Sequence, residues 1–415
     1  MNILAILFCY PPFLLPATMC YLKLLMGLRA YGHQVSVLTV DPASYDPANG
    51  GVIDHTLNHF IPEGVINHPV PTWELHAALK LLKRFDISYR LLYRLFEPRK
   101  KEWVFPVLRY LRTIDLGPYD LILSCSQPHA NHLVGRALKE RTGKPWVAYF
   151  SDPWIDNPYA RYRSKRIYSY NAHCEEEVIT KADRVLFTSP EMLDLVMKKY
   201  PPGTAAKCGV LTHSFVPEWY EASGAMRTGE RNRKVRLVHT GHFYGPRTPL
   251  PLLKALEQLH RRTDLAERLE VCFYGAMESE HKTFVERKGL SSCVRISDTI
   301  PYFDSLSVMR SADYLVLIDA PLHGAGESVF LPSKLIDYIG SYRPVIGITP
   351  ERGASARVLR ESGNLVCALE KEDELYEVLG SIVTASLRPS PDRTAIDRYH
   401  YLTVSKKIDH IIKEI

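Results

Sequence analysis

The sequence of 415 residues predicts an α/β protein of two Rossmann-like domains, each built on a parallel sheet. Three observations predict it. Short, uniformly apolar runs alternate with stretches of helical period from the first residues to Leu211. The pattern lapses over 217–234, where SGAMRTGERNRK has little apolar periodicity. It starts again at VRLVHT and runs on past VIGIT. Strands apolar throughout are buried on both faces, and strands that alternate with helices pair in parallel. The length suits two domains of about 200 residues each.

Taken in order, Asn2 to Cys9 reads as a buried strand stopped by Tyr10-Pro11-Pro12. A helix from about Tyr21 to Ala30 ends at Tyr31-Gly32-His33, and Gln34 to Val40 is the next strand. In open α/β sheets ligands bind at the carboxyl ends of strands, so the loop holding Pro12 belongs to a binding face, with Pro12 a candidate ligand contact. Tyr119 to Cys125, Pro145 to Phe150, Arg184 to Thr188 and Cys208 to Leu211 are further strands. Helices over His132 to Thr142, Tyr168 to Lys181 and Glu191 to Tyr200 separate them. These define a first domain over 1–216 and a linker over 217–234.

The second round, over 235–400, has strands at Val235 to Thr240, Leu269 to Tyr274, Val294 to Ile296, Tyr314 to Ile318 and Pro344 to Ile348. Its helices fall at Pro251 to His260, Glu280 to Lys288, Ser305 to Ser311 and from Ser333 to Tyr338. The amphipathic stretch 401–415 is expected to be a C-terminal helix crossing back to the first domain.

Composition excludes some classes. Lys and Arg number 52 against 46 Asp and Glu, a formal charge of +6. This mild excess allows anionic partners and lacks the basic footprint of a nucleic-acid protein, so no nucleic acid is expected. None of the eight cysteines forms a CxxC pair, which points to a reducing, cytoplasmic compartment and away from zinc. The apolar start lacks a basic n-region, is broken by Pro11 and Pro12, and continues into a strand, so it is read as fold and not as a signal peptide. Between Trp73 and Arg112, bases such as Lys83, Arg94 and Arg109 interleave with aromatics such as Phe85, Tyr93 and Trp103. Two readings stand side by side: a helix lying on the anionic inner face of a cell membrane, or an insertion with a solvated basic face and a buried aromatic face.

The segment ESVFLPSKLIDYIGSYRP, 327–344, is the most informative. Pro332 and Ser333 lead into a helix, with Ser333 as the expected N-cap. The first turn offers backbone N–H groups to an anion. Lys334 opposes the helix dipole unless an anion bridges both. Asp337, one turn on, can accept hydrogen bonds from a ribose diol. The same spacing also fits a capped helix with scattered surface charges. VRLVHTGHFYGPRTPLPLLKAL, 235–256, places Gly241 at a strand end where backbone can approach a ligand, followed by His242, Tyr244 and Arg247. WVAYFSDPW, 146–154, runs a buried strand into Ser151-Asp152-Pro153-Trp154. Asp152 can orient a hydroxyl, act as its base, or cap the following turn.

PSKLIDYIGSYRPVIG resembles the PSKxxEY pattern of family 4 of the glycosyltransferases, retaining enzymes of GT-B fold whose two Rossmann-like domains face a cleft. The resemblance implies that Asp337, where the family has Glu, holds the ribose. The family's earlier Glu would fall at Val329, and Glu327 is the nearest acid, assigned to the donor sugar. The VRLVHTG segment resembles the family's nucleotide-binding loop. There Gly241 would meet the diphosphate, and His242 and Thr248 stand where the family commonly has Arg and Lys. Arg247 is then the expected principal phosphate cation, because its planar fork can bind two oxygens at once; a surface-loop Arg is the plainer alternative. Gly275, Ile300 and Tyr302 would flank the nucleobase. SDPW resembles an element of bacterial polysaccharide glycosyltransferases, with Asp152 at the acceptor hydroxyl and Trp154 stacked on a sugar. His323, Gly324 and Gly326 would close over the donor sugar.

No DxD loop and no cluster of metal-ligand spacing is evident, so neither cofactor nor metal is expected. Arg247, Lys334 and the helix start would take the metal's part at the leaving diphosphate. The resemblance thus implies transfer from a nucleotide sugar, expected to be a UDP-sugar, to a saccharide or lipid-linked acceptor of surface polysaccharide synthesis. A UDP-sugar 2-epimerase of the same fold and a degenerate nucleotide-binding partner subunit are the alternatives.

Overall fold

In the computed structural model the described residues are 1–44, 52–72, 101–162, 164–222, 234–243, 246–320 and 327–415. The segment 73–100, the greater part of the basic aromatic stretch, lies outside them. So do Tyr244, His323, Gly324 and Gly326. The chain divides into two compact units, 1–213 with 401–415, and 214–400.

The first unit is a seven-stranded parallel sheet. Its strands are β1 (Asn2–Ile6), β2 (Gln34–Val40), β3 (Ile66–Val70), β4 (Leu121–Ser126), β5 (Trp146–Phe150), β6 (Arg184–Phe187) and β7 (Cys208–Val210). They lie in the order β3-β2-β1-β4-β5-β6-β7. Each of β4 and β5 is buried along its whole length, as strands covered on both faces must be. Edge strand β3, INHPV, holds Pro69; proline is tolerated there because an edge strand has N–H groups to spare.

Helix α1 (Pro16–Ala30) starts earlier than its periodicity predicts. Pro16 opens it, since a first-turn N–H needs no intrahelical partner. Helices α2 (Ala130–Thr142) and α3 (Lys165–Lys181) cover other strands, and Ser164 caps α3 by accepting the Ile167 N–H. The C-terminal helix, Tyr401–Lys413, belongs to this unit. It buries Val404, Ile408 and Ile412 in the first core. It comes so close to α1 that a β-carbon at Gly27 would sit 1.6 Å from Ser405 Oγ. His33 Nε2 lies 2.9 Å from Asp409 Oδ1 across the same contact.

The second unit has a six-stranded parallel sheet: β8 (Val235–Thr240), β9 (Leu269–Tyr274), β10 (Val294–Ser297), β11 (Tyr314–Ile318), β12 (Val345–Thr349) and β13 (Leu365–Ala368). The order is β10-β9-β8-β11-β12-β13. Both sheets therefore have the doubly wound order in which the first strand lies beside the fourth. The stretch expected as linker begins with a helix, Pro217–Ala222, in which Trp219 and Tyr220 are buried. Two large aromatics in a polar context hold it to the second unit, and 223–233 lie outside the described residues. All eight cysteines are free, and no helix among the described residues is long and apolar enough to cross a membrane.

Candidate nucleotide-sugar site

The sheet of the second unit reverses direction of winding between β8 and β11, which pair Leu237 with Tyr314 and Val238 with Leu315. Open α/β sheets take ligands outside the carboxyl ends at such a reversal. Gly241 follows β8 at φ +102, and its N–H donates to the Tyr274 carbonyl at 2.7 Å. A β-carbon on Gly241 would sit 2.9 Å from Lys334 Nζ. Gly275, after β9, has φ +148, and a β-carbon there would lie 2.5 Å from the Gly241 carbonyl oxygen. The two loops touch backbone to backbone, which glycine alone allows.

Lys334 lies in helix α4 (Ser333–Gly340). Its Nζ donates to the Thr240 carbonyl at 3.1 Å. Burial first, then the Arg247 charge, pull its ammonium down to about 8, while Asp319 opposes them. Arg247 is buried, and its Nε and Nη2 donate to Asp319 Oδ1 at 3.2 and 2.9 Å. Asp319, at 1% exposure, also accepts the Ala320 N–H at 2.9 Å and the Ser355 hydroxyl at 2.8 Å. The two cations and one carboxylate sum to one positive charge, which suits an anionic ligand. Arg247 is thus no loose surface arginine.

Sequence reasoning missed Asp319 and Ser355. Asp319 ends the run YLVLID at a strand's carboxyl end, the same signal that singled out Asp152. It also missed His239, which is buried, donates through Nδ1 to the Val316 carbonyl at 2.9 Å, and stacks on Phe243 at 4.7 Å. Since a carbonyl only accepts, Nδ1 carries the proton. Burial first, then the Lys334 charge, lower its pKa to about 3, so the ring is neutral.

Several expectations change. Ser333 is the first helical residue, and Pro332 occupies the N-cap with no side-chain capping bond. The extended φ and ψ of Pro332 end the loop and turn the chain into the helix, so no hydroxyl covers the first turn. Asp337 is buried on this helix, three residues from Lys334 and on the same face. Its carbonyl accepts the Tyr220 hydroxyl at 2.5 Å. Glu327 is exposed, in the short pairing of 327–328 with 352–353, opposite Arg352. His242 is exposed. Its Nδ1 accepts the Ala276 N–H at 3.1 Å and its Nε2 lies 3.4 Å from Thr299 Oγ1. It thereby links the loops of Gly241, Gly275 and Ile300. Tyr302 opens a helix and packs edge-on against Trp219 and Phe303, with centroids 6.1 and 5.3 Å away.

In the first unit the reversal lies between β1 and β4. Asp152 Oδ2 accepts the Gln127 side-chain amide at 3.0 Å and the Ser151 hydroxyl at 3.3 Å. Trp154 is buried. Its indole N–H donates to Asn171 Oδ1 at 3.0 Å, and one face stacks on His129 at 4.6 Å and 6°. It therefore supports His129 instead of offering a face to a sugar. Pro12 is also buried, and its carbonyl accepts the Asp54 N–H at 2.7 Å, so it shapes its loop instead of lining a ligand surface. One group of possible metal ligands occurs among the described residues: Glu278, Glu280 and His281.

Two doubly wound units of this kind define a protein of GT-B fold. Residues 18–206 match the glycosyl transferase 4-like domain. Sucrose-phosphate synthase from Thermosynechococcus elongatus is similar over 100% of this chain and 98% of its own, with 14% identity and a TM-score of 0.66. Anabaena HepE, solved with UDP and glucose, is similar over 100% of both chains, also with 14% identity and a TM-score of 0.66. WaaG, a glycosyltransferase of lipopolysaccharide biosynthesis, is similar over 99% of both, with 16% identity and a TM-score of 0.61. No curated protein sequence matches the chain.

Proposed function

We propose that the chain is a retaining, metal-independent glycosyltransferase. It moves a hexosyl or N-acetylhexosaminyl group from a UDP-sugar to a saccharide or lipid-linked acceptor of bacterial surface polysaccharide. The observation that carries the reading is the set of Arg247, Asp319 and Lys334 around Gly241 at the reversal of the second sheet. The donor diphosphate meets Lys334, Arg247 and the uncapped first turn of α4, and Asp337 takes the ribose. Gly241 and Gly275 let the backbone come close, and His242, Ile300 and Tyr302 flank the nucleobase. As the sugar departs, negative charge grows on the diphosphate, and preorganised cations and N–H groups lower that barrier most. The first unit holds the acceptor, with Asp152 orienting its hydroxyl. The protein works in the cytoplasm, at the inner membrane face through the bases and aromatics of 73–112. The choice of UDP as the first probe is supported by the UDP found with HepE.

The test is melting of the purified chain with UDP, GDP, ADP or CMP, followed by incubation of UDP-sugars with and without acceptor extract. Ligand at about 100 times its dissociation constant adds about 2.7 kcal/mol, which a melting curve resolves. Stabilisation by UDP, and donor loss only with acceptor, is the expected result. Donor altered without acceptor would establish the epimerase instead. UDP binding with no donor consumed under any condition would leave a nucleotide-binding partner subunit.

A further inference from the structure

We infer that Glu278, Glu280 and His281 form a divalent-cation site that braces the loops carrying Arg247 and Gly275. The inference stands on geometry separate from the diphosphate cations and does not rest on the proposed reaction.

The three residues meet where helix α5 (Ser279–Arg287) begins, with Glu278 at its N-cap. One carboxylate oxygen from each Glu and a ring nitrogen of His281 lie within 4.8 Å of one another. Acidic side chains gather at helix starts for the dipole alone, so the two glutamates by themselves mean little. His281 is different. It is 5% exposed, and its Nδ1 is buried with no hydrogen-bond partner, 3.5 Å from Glu280 Oε1. A buried polar nitrogen that lies 3.5 Å from a carboxylate oxygen and makes no hydrogen bond requires an explanation.

The other ring nitrogen supplies one. Nε2 lies 2.8 Å from Thr248 Oγ1, which also accepts the Leu250 N–H at 3.2 Å. A hydroxyl oxygen has two lone pairs, enough to accept both N–H groups. With the proton on Nε2, Nδ1 keeps its lone pair, and Glu280 Oε1 lies 3.5 Å from it. A neutral imidazole nitrogen held by a partner on its far side is the usual form of a metal-ligating histidine. One imidazole and two carboxylates make a mixed donor set that suits Zn²⁺ or Mn²⁺, with water completing the shell. Because both glutamates are exposed, their oxygens can close on the ion without moving the backbone.

The position gives the site a purpose. Thr248 is the neighbour of Arg247, and Glu278 lies three residues after Gly275. An ion held by His281 locks Thr248 to α5, and so ties the loop after β8 to the loop after β9. The spacing Glu-Ser-Glu-His resembles no common metal motif, so the sequence alone hides it.

The test uses the full chain, stripped of metal with chelator and titrated with Mn²⁺ followed by electron paramagnetic resonance. Zn²⁺ is then added as competitor. One Mn²⁺ per chain, displaced by Zn²⁺, is expected. The exposed pair Glu278→Gln/Glu280→Gln should abolish that binding while the metal-free melting temperature stays where it was. Thr248→Val should weaken binding by about 10- to 100-fold, as loss of an outer partner does. No saturable binding in the wild type overturns the site, and so does unchanged binding in the Gln pair.

Discussion

Arg247→Ala is the most informative perturbation of the second unit. It strips the guanidinium from Asp319, whose side chain is wholly shielded from water. The remaining carboxylate partners are the Ala320 N–H and the Ser355 hydroxyl. Removing one member of a buried ion pair typically costs about 3–5 kcal/mol, because a charge is left without its counterion. With about 2–4 °C per kcal/mol for a unit of this size, the melting temperature should fall by roughly 6–20 °C. The loss should depend on pH with a definite sign. In the variant the buried carboxylate has lost its counterion, and burial disfavours the charged form of an acid. A protonated orphan acid costs little, and stability is lost as pH rises and the buried charge must form. The gap between wild type and variant should therefore be small near pH 4 and widen toward neutrality. Asp319→Ala in the same background should recover part of the loss, since the orphan charge is gone. Differential scanning calorimetry of the four proteins of the cycle at several pH values measures all of this. A single variant that melts with the wild type, or a gap that does not change with pH, would refute the buried-pair account.

Four further outcomes are expected. Lys334 has a folded pKa lowered to about 8, so the native state holds fewer protons than the unfolded chain above that value. Its burial penalty is therefore relieved as pH rises through about 8, whereas binding of a nucleoside diphosphate, which needs the ammonium, should weaken over the same range; calorimetry from pH 7 to 9.5 should show this slope in the wild type and not in Lys334→Met. Gly275→Ala should cost more than Gly241→Ala, because the first new β-carbon meets backbone 2.5 Å away and the second meets the end of a lysine; urea unfolding of both decides it. Trp154→Ala should destabilise the first unit by about 3–5 kcal/mol as a large buried aromatic, and a variant of normal stability would return Trp154 to the acceptor side. Ending the chain at His400 removes Val404, Ile408 and Ile412 from the first core, and limited proteolysis should then cut the first unit well before the second.

The fold was legible because both sheets are written in runs that need no context. WVAYF and YLVLI are apolar on every residue, and LILSCS departs from this only at two small serines, so a strand covered on both faces fits them. Ile66–Val70 was not legible, since INHPV alternates weakly and holds a proline; its strand status comes from pairing with Val40 and its neighbours at the sheet edge. Helix starts were placed late where glycine or proline cues lay outside the apolar period, as with Pro16 and Pro301. The glycines and Lys334 of the second unit were legible because their roles are local: a strand end, a backbone that must approach closely, a cation in a first helical turn.

Partners distant in sequence were not legible. Arg247 and Asp319 are separated by 72 residues, and only the β8–β11 pairing brings their loops together. Trp154 shows the opposite failure. A strand-end aromatic in a polar cluster reads as a sugar platform, yet its indole N–H finds Asn171 and its face finds His129, so the residue spends its surface inside the fold. Residue type and strand-end position fix which chemistry is possible at a site; which side chain stays available for a ligand depends on contacts made elsewhere in the chain. That is why the cations of the second unit carry the functional reading, with Lys334 beside Gly241 and Arg247 oriented by Asp319, while the aromatic of the first unit does not.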